Sequence, residues 1–280
     1  MIKYFFSPKT AAEAVEIRTA NRNCIYVAGS TDVSVKLYKD GLSCDGFIDI
    51  SKLKALRGIC PEEYKIGAIT TFTDILYFNG DTPELRLLKA MAGQVAAMQI
   101  RNRGTLGGNI SNASPAADSL PVLSVLNAAV IVLDSNGEHR MPLEDYLNMC
   151  KKGDSSALLC SIEYEKLPEA ARYGFVKVGR RESLAISRLN GCAAITVDEG
   201  KITWARLSIG AVSPVTGRFM ATEKAIIGRP YNEDTLLLAG REAEKEAEKY
   251  IGKRASAAYK LPVIKELVPE LLCSCMKESE

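Results

Sequence analysis

The stretch "RNRGTLGGNISNASPAADS", residues 101 to 119, constrains this chain more than any other. It sets three glycines among serine, threonine and asparagine and carries a carboxylate, Asp118, next to its end. Glycine lacks the Cβ that would keep a ligand away from the main chain, and successive N–H groups in such a turn form a concave nest of partial positive charge. A second segment, "VAGSTDV" at 27 to 33, has the same design: glycine beside Ser and Thr, then Asp. Either loop alone reads as a tight turn with helix caps. Two of them together suggest a diphosphate gripped from two sides, and so a dinucleotide. The hydroxyls of Ser30, Thr31, Thr105 and Ser111 supply further donors. Asp32 and Asp118 cannot, because a carboxylate repels phosphate. Asp118 is suited either to sugar hydroxyls or to capping the next helix, and Asp32 to holding its own loop.

The glycine spacing excludes two common solutions. GxGxxG and GxxxxGK[ST] are both absent, so the dinucleotide site has another architecture. Length and charge narrow the field further. The 280 residues, 47% hydrophobic and 25% charged, favour two domains of a soluble globular protein. Thirty-six basic against 34 acidic residues leave a net charge of +2, too little for a global field that attracts nucleic acid or an anionic membrane. No secretory leader is expected from "MIKYFFSPKT", which points to the cytoplasm, and "LPVLSVLNAAVIVL" at 120 to 133 is too short and interrupted to span a bilayer.

The eight cysteines contain no CxxC pair. Cys24, Cys160 and Cys192 lie in apolar surroundings and read as small buried hydrophobes, so neither an iron–sulfur cluster nor any other metal site is expected in this chain. The single histidine, His139, follows the turn "DSNGE" and reads as a hairpin residue.

Periodicity predicts α/β structure first. "TAAE" at 10 to 13 has capping-box form, "CIYVA" and "GFIDI" read as strands, and "GSTDVSVKLYKDG" between them as a helical segment with a polar start, an apolar stripe of Val33, Val35 and Leu37, and Gly41 placed to end it. "YKIGAIT" is a strand, "TFTDIL" a short helix, and 82 to 98 a longer one carrying Leu85, Leu88, Met91 and Val95. A helix from Asp118 or Ser119 and a hairpin turning at Asn136-Gly137 follow. "ALLCSIEYE" closes the first domain. From about residue 170 the character changes. "FVKVGRR" and "CAAITVDEGKITWARLSIGAV", with its Glu199-Gly200 turn, predict an antiparallel sheet. Helices are predicted near 219 to 227, 232 to 250 and 256 to 276, the second with the solvated charged face "REAEKEAEKY".

Six ordered segments carry a family resemblance: "YVAGSTDVSVKLYKDG", "FIDISKLKALRGI", "KIGAITTFTDI", "RNRGTLGGNISNASPAADSLPVL", "FVKVGRRESLAISRLNGCAAI" and "RASAAYKLPVI". Across its whole length the chain resembles the FAD-binding subunit of the molybdenum hydroxylases, the group that contains xanthine dehydrogenase and carbon monoxide dehydrogenase. The resemblance implies an α+β fold. A PCMH-type FAD-binding domain of the vanillyl-alcohol-oxidase kind, with two α/β subdomains, would span 1–167. A smaller α+β domain of the CO dehydrogenase flavoprotein type would span 168–280.

Site residues are implied by position. Tyr26, Val27, Ala28, Gly29, Ser30, Thr31, Asp32 and Val33 match the first diphosphate loop, and Thr105, Gly107, Gly108 and Asn109 the second, with Ser111 beside them. Asp118 matches the aspartate near the ribose and adenosine portion, and Leu159 and Lys177 match positions near the ring. Val95 and Ala96 stand where the family places residues beside the flavin, sometimes an aromatic one, which Val95 is not. Ser30 replaces the family's more usual glycine, at a cost if that position needs a positive φ. Arg101 and Arg103 flank the second loop, either offsetting phosphate charge or solvated. The implied cofactor is FAD, the implied partners are an iron–sulfur subunit and a molybdenum-cofactor subunit in a heterotrimer, and the implied acceptor is NAD+ or another. No catalytic acid, base or nucleophile is expected, because the cofactor carries the chemistry. A self-contained flavoenzyme and a scaffold that has lost FAD stand as alternatives.

Overall fold

The computed structural model describes residues 2–39, 41–153, 156–179 and 186–277. In chain order the elements begin with β1 (Tyr4–Phe6), α1 (Ala11–Ala20), β2 (Cys24–Val27), α2 (Val33–Lys39), β3 (Gly46–Asp49), β4 (Ile59–Cys60) and β5 (Lys65–Gly67). Then come α3 (Phe72–Leu76), α4 (Pro83–Gln94), α5 (Met98–Arg101), α6 (Leu106–Ser111), α7 (Ser119–Val125), β6 (Ala129–Asp134), β7 (Gly137–Pro142), α8 (Leu143–Lys151) and β8 (Leu158–Glu163). The last are β9 (Arg172–Val178), β10 (Leu189–Asp198), β11 (Lys201–Gly210), α9 (Met220–Ile226), α10 (Glu233–Ile251) and α11 (Ala257–Met276). Two compact units interleave along this order: Met1–Gly80, Val95–Ala113 and Ala128–Glu165 form one, and Asp81–Gln94, Ser114–Asn127 and Lys166–Glu280 form the other.

The first unit holds a parallel sheet in the order β1-β3-β2 and an antiparallel sheet in the order β4-β5-β8-β6-β7. Helix α1 starts at Thr10, whose hydroxyl accepts from the Glu13 N–H at 3.1 Å. The reciprocal bond falls one residue early, the Glu13 carboxylate accepting from the N–H of Lys9 at 2.7 Å. Ala14 and Val15 then bury against Cys24, Ile48, Ile131 and Leu158. Burial raises the thiol pKa of Cys24 and Cys160, as expected of cysteines that act as small hydrophobes.

Local departures from the sequence reading have physical causes. The apolar stripe on α2 does not exist: residues two apart point to opposite sides of a helix, and Val35 and Leu37 are exposed. Helix α4 ends at Gln94, leaving Val95 outside it, because Ala96 adopts φ +40°. The β6–β7 register pairs Asp134 with Gly137, so the two-residue turn is Ser135-Asn136, with the Asp134 carboxylate accepting from the Asn136 N–H at 2.7 Å. His139 lies on β7 of that hairpin and pairs with Asp134 at 3.0 Å. The sequence reading passes over α8, although Leu143, Tyr146 and Leu147 bury at helical spacing.

The second unit has the antiparallel sheet β11-β10-β9, with Glu199 and Gly200 both at positive φ in the β10–β11 turn, as a tight hairpin requires. Continuation of "FVKVGRR" into Arg180 and Arg181 lies outside the described residues. Helices α9, α10 and α11 cover the sheet over a core of Leu189, Ala193, Leu207, Ile209, Ala243 and Leu271. A Cβ at Gly240 of α10 would stand 2.1 Å from the carbonyl of Lys265, so α10 and α11 approach at backbone distance.

The charged face of α10 is only partly solvated. Lys245 and Glu242 pair in the open at 2.7 Å. Glu246 is buried: its carboxylate accepts from the N–H of Ala221 at 3.3 Å and from both the N–H and hydroxyl of Thr222 at 2.9 Å, so it caps the first turn of α9. Glu246→Ala strands those donors and should cost about 2 to 4 kcal/mol in urea unfolding, while Glu244→Ala on the same helix stays within about 0.5 kcal/mol.

Candidate functional site

The first glycine loop leaves β2 at Val27 and enters α2 at Val33. Gly29 meets the chain at its tightest point: a Cβ there would stand 1.9 Å from the carbonyl oxygen of Arg103 and 3.1 Å from the nitrogen of Gly104. No side chain fits, and the two glycine loops therefore touch through main chain. Ser30 has φ +59°, so the position does take the left-handed conformation, at a cost of order 1 kcal/mol for a non-glycine residue. Ser34 and Lys36 donate back to the carbonyls of Ser30 and Asp32. The N–H groups of Gly29, Ser30, Thr31, Asp32 and Val33 donate to no other described residue. Five consecutive main-chain donors thus share one turn without an acceptor, which is costly unless water or a ligand accepts from them. The Lys36 ammonium binds the side-chain carbonyl of Asn112, tying α2 to the end of α6. Tyr26 lies on β2, where burial raises its phenol pKa and its hydroxyl reaches the carbonyl of Ser156 at 3.4 Å.

The second loop is built differently. Its N–H groups are spent inside the chain: Leu106 donates to the carbonyl of Thr70 at 2.9 Å, Gly107 to that of Ala68 at 2.8 Å, and Asn109 to that of Thr105 at 3.0 Å. Gly108 donates to the Thr105 hydroxyl oxygen at 3.1 Å, capping α6 and leaving the hydroxyl hydrogen of Thr105 to donate elsewhere. Gly107 is glycine for packing reasons, since a Cβ would stand 2.7 Å from both the Cβ and the carbonyl of Ala68. Behind this loop, Thr71 bridges to Thr105 and shares a complete capping box with Asp74. Arg57 grips Asp74 through two bonds of 2.9 and 2.8 Å. Ser111 shares its hydroxyl with the buried Tyr146 at 2.8 Å. Arg101 is half-buried and spends one guanidinium nitrogen, Nη1, inside the chain. Its guanidinium clamps the carbonyls of Val95 and Ala96 at 3.0 and 2.9 Å and so fixes the strained turn. Leu159 is buried in β8.

Asp118 and Lys177 belong to the second unit, where they form an ion pair of 2.6 Å with both side chains nearly buried. Asp118 stands at the start of α7 yet does not cap it; its carboxylate looks away toward β9 and β10. One oxygen accepts from the Ser187 hydroxyl at 2.5 Å and the Asn190 amide at 2.8 Å, the other from Lys177. The ammonium of Lys177 also donates to the carbonyl of Gln94 at 2.8 Å. Sequence reasoning missed Ser187 and Asn190. The one available signal was an asparagine in an otherwise apolar strand pattern, "LNGCAAI", which the structure buries fully.

Known proteins contain similar chains. Residues 1–164 match the family described as "FAD binding domain in molybdopterin dehydrogenase", and residues 174–274 match "CO dehydrogenase flavoprotein C-terminal domain". The chain is 32% identical over 246 residues to the nicotinate dehydrogenase FAD-subunit of Eubacterium barkeri, covering 83% of this chain and 82% of that one. It is 27% identical over 270 residues to the xanthine dehydrogenase FAD-binding subunit of Escherichia coli O157:H7, covering 94% and 92%. In fold it superposes on a chain of carbon monoxide dehydrogenase from Hydrogenophaga pseudoflava with a TM-score of 0.89, at 22% identity and over 98% and 97% of the two chains. The chain belongs to the FAD-binding subunits of the molybdenum hydroxylases, which are oxidoreductases, and its cofactor is FAD. The first loop fits that cofactor, because its unspent main-chain donors match a diphosphate.

Two substitutions test the loop. Gly29→Ala should separate it from Arg103, lower FAD affinity at least about tenfold in a fluorescence titration, and destabilise the apoprotein by about 1 to 3 kcal/mol. Ser30→Gly should relieve the left-handed strain, raising unfolding stability by up to about 1 kcal/mol with FAD affinity kept.

Proposed function

We propose that this chain passes electrons from the iron–sulfur clusters of a partner subunit, through FAD, to NAD+ or another soluble acceptor, within a complex whose third subunit carries the molybdenum cofactor. The observation that carries the reading is the run of five unspent N–H donors from Gly29 to Val33, seated against the backbone of the second loop. The assigned binding residues divide by chemistry. The backbone from Tyr26 to Val33 holds the diphosphate, with the hydroxyls of Thr31 and Thr105 donating alongside. Gly107, Gly108 and Asn109 shape the second loop, and Ser111 buttresses α6 through Tyr146. Ala96, Leu159 and Lys177 are assigned to the ring, and Asp118, which lies 2.6 Å from the Lys177 ammonium with both carboxylate oxygens engaged, to holding Lys177 rather than to the ribose and adenosine portion.

FAD supplies the redox chemistry when bound, taking electrons singly and releasing them as a pair. The chain's own residues bind and orient it. The family, and the names of relatives such as a nicotinate dehydrogenase FAD-subunit, support membership of a larger complex of this kind. Among the described residues no helix is long and apolar enough to cross a membrane, which fits a soluble cytoplasmic complex.

The test is anaerobic. The FAD-loaded chain, mixed with NADH, should bleach its visible flavin bands, and the chain isolated from its native source should bring down subunits containing iron and molybdenum. A flavin that NADH leaves oxidised would remove NAD+ as the acceptor. Isolation alone, without metal-bearing subunits, would favour a self-contained flavoenzyme, and failure to take up FAD would favour a scaffold.

A further inference from the structure

Asn190 is fully buried in β10, directly opposite Gly210 of β11 in the antiparallel ladder. Its amide nitrogen donates to Asp118 at 2.8 Å, with the carbonyl of Ala116 a distant second acceptor at 3.5 Å. Its amide oxygen has no hydrogen-bond partner, and it occupies the space a Cβ on residue 210 would need, 1.9 Å from that position. Only glycine at 210 lets the amide lie there, where a weak Cα–H contact is all the oxygen receives. Reversing the amide would bring its oxygen against the carboxylate oxygen of Asp118, lone pair to lone pair. The orientation is therefore fixed by Asp118, and the fold tolerates an orphaned buried acceptor in order to keep that one donor bond.

Counting donors shows what the bond protects. Asp118 takes Ser187 and Asn190 on one oxygen, which leaves the other turned to Lys177. Lys177 has three ammonium hydrogens. One goes to Asp118 and one to the carbonyl of Gln94; the third meets no acceptor among the described residues, although the side chain is only 11% exposed. A nearly dry ammonium with one hydrogen unspent is directional, and its direction is set by the two groups that hold the others.

We infer that Asn190, seated over Gly210 and seconded by Ser187, is a positioning residue: it pins the Asp118 carboxylate so that Lys177 presents its remaining hydrogen to an acceptor of bound FAD. Without Asn190 the carboxylate is free to rotate, to grip the ammonium with both oxygens or to turn to the start of α7, and the third hydrogen moves with it. This inference rests on the reading that Lys177 faces FAD.

A double-mutant cycle on the full chain separates the two. FAD affinity is measured by fluorescence titration of apoprotein for wild type, Asn190→Ala, Lys177→Met and the double variant, each checked for folding by thermal melting. Asn190→Ala should weaken FAD about tenfold, and in the Lys177→Met background it should add nothing, since the two act through one hydrogen. Fold losses that multiply would overturn the inference, because a merely structural asparagine weakens binding whether or not Lys177 is present. So would a folded Asn190→Ala with wild-type affinity. Should that variant fail to fold, Ser187→Ala removes a donor from the same carboxylate oxygen and is read against Lys177→Met in the same way. Unchanged FAD affinity in Lys177→Met alone would instead sink the assignment of Lys177 to FAD, and the inference with it.

Discussion

The approach of Gly29 to the carbonyl of Arg103 governs the first unit. At that distance no side chain can intervene, so two stretches of main chain more than seventy residues apart in sequence lie against each other. One consequence is conformational. To leave the contact and enter α2 the chain turns through the left-handed region at Ser30, accepting strain that glycine would avoid. The other is chemical: the N–H groups from Gly29 to Val33 run from the loop into the first residue of α2 and finish with nothing among the described residues to donate to. Gly29, Ser30, Thr31 and Val33 are half-buried, where donors without an acceptor are rare in folded proteins, and here they coincide with a family whose cofactor carries a diphosphate.

The two loops look alike as sequence and differ as structure. Both offer glycine, hydroxyls and a terminal aspartate, and both could have been anion nests. In the second, Leu106, Gly107, Gly108 and Asn109 give their hydrogens to Thr70, Ala68 and Thr105, so its glycines serve close packing and an early helix start. Sequence cannot make that distinction, since the deciding acceptors at Ala68 and Thr70 come from another segment more than thirty residues earlier. Ser30 shows the opposite case. A family habit of glycine at that position was a legible sign of positive φ, and the backbone has it.

Legibility elsewhere followed the range of the interaction. Thr10, Glu199-Gly200 and the strands around Ile25 and Ile48 were readable because caps, tight turns and buried runs are decided within a few residues. Val35 and Leu37 were misread by treating alternate residues as one helical face, and α8 was lost behind the hairpin that precedes it. Glu246 looked like one charge among many on α10 until its acceptors' partners at Ala221 and Thr222 were in view. Asp118 offered a choice between cap and ligand contact. The structure removes the cap, because Ser187, Asn190 and Lys177 claim the carboxylate, and none of these three is near it in sequence.

That contrast between unspent and spent donors can be measured directly. Amide hydrogen exchange, followed residue by residue in apoprotein and with saturating FAD, reads each N–H separately. Residues 29 to 33 should exchange freely without FAD and slow at least about tenfold with it, while 106 to 109 are protected in both states. Unchanged exchange at 29 to 33, with new protection at 106 to 109 instead, would contradict the assignment of the diphosphate to the first loop.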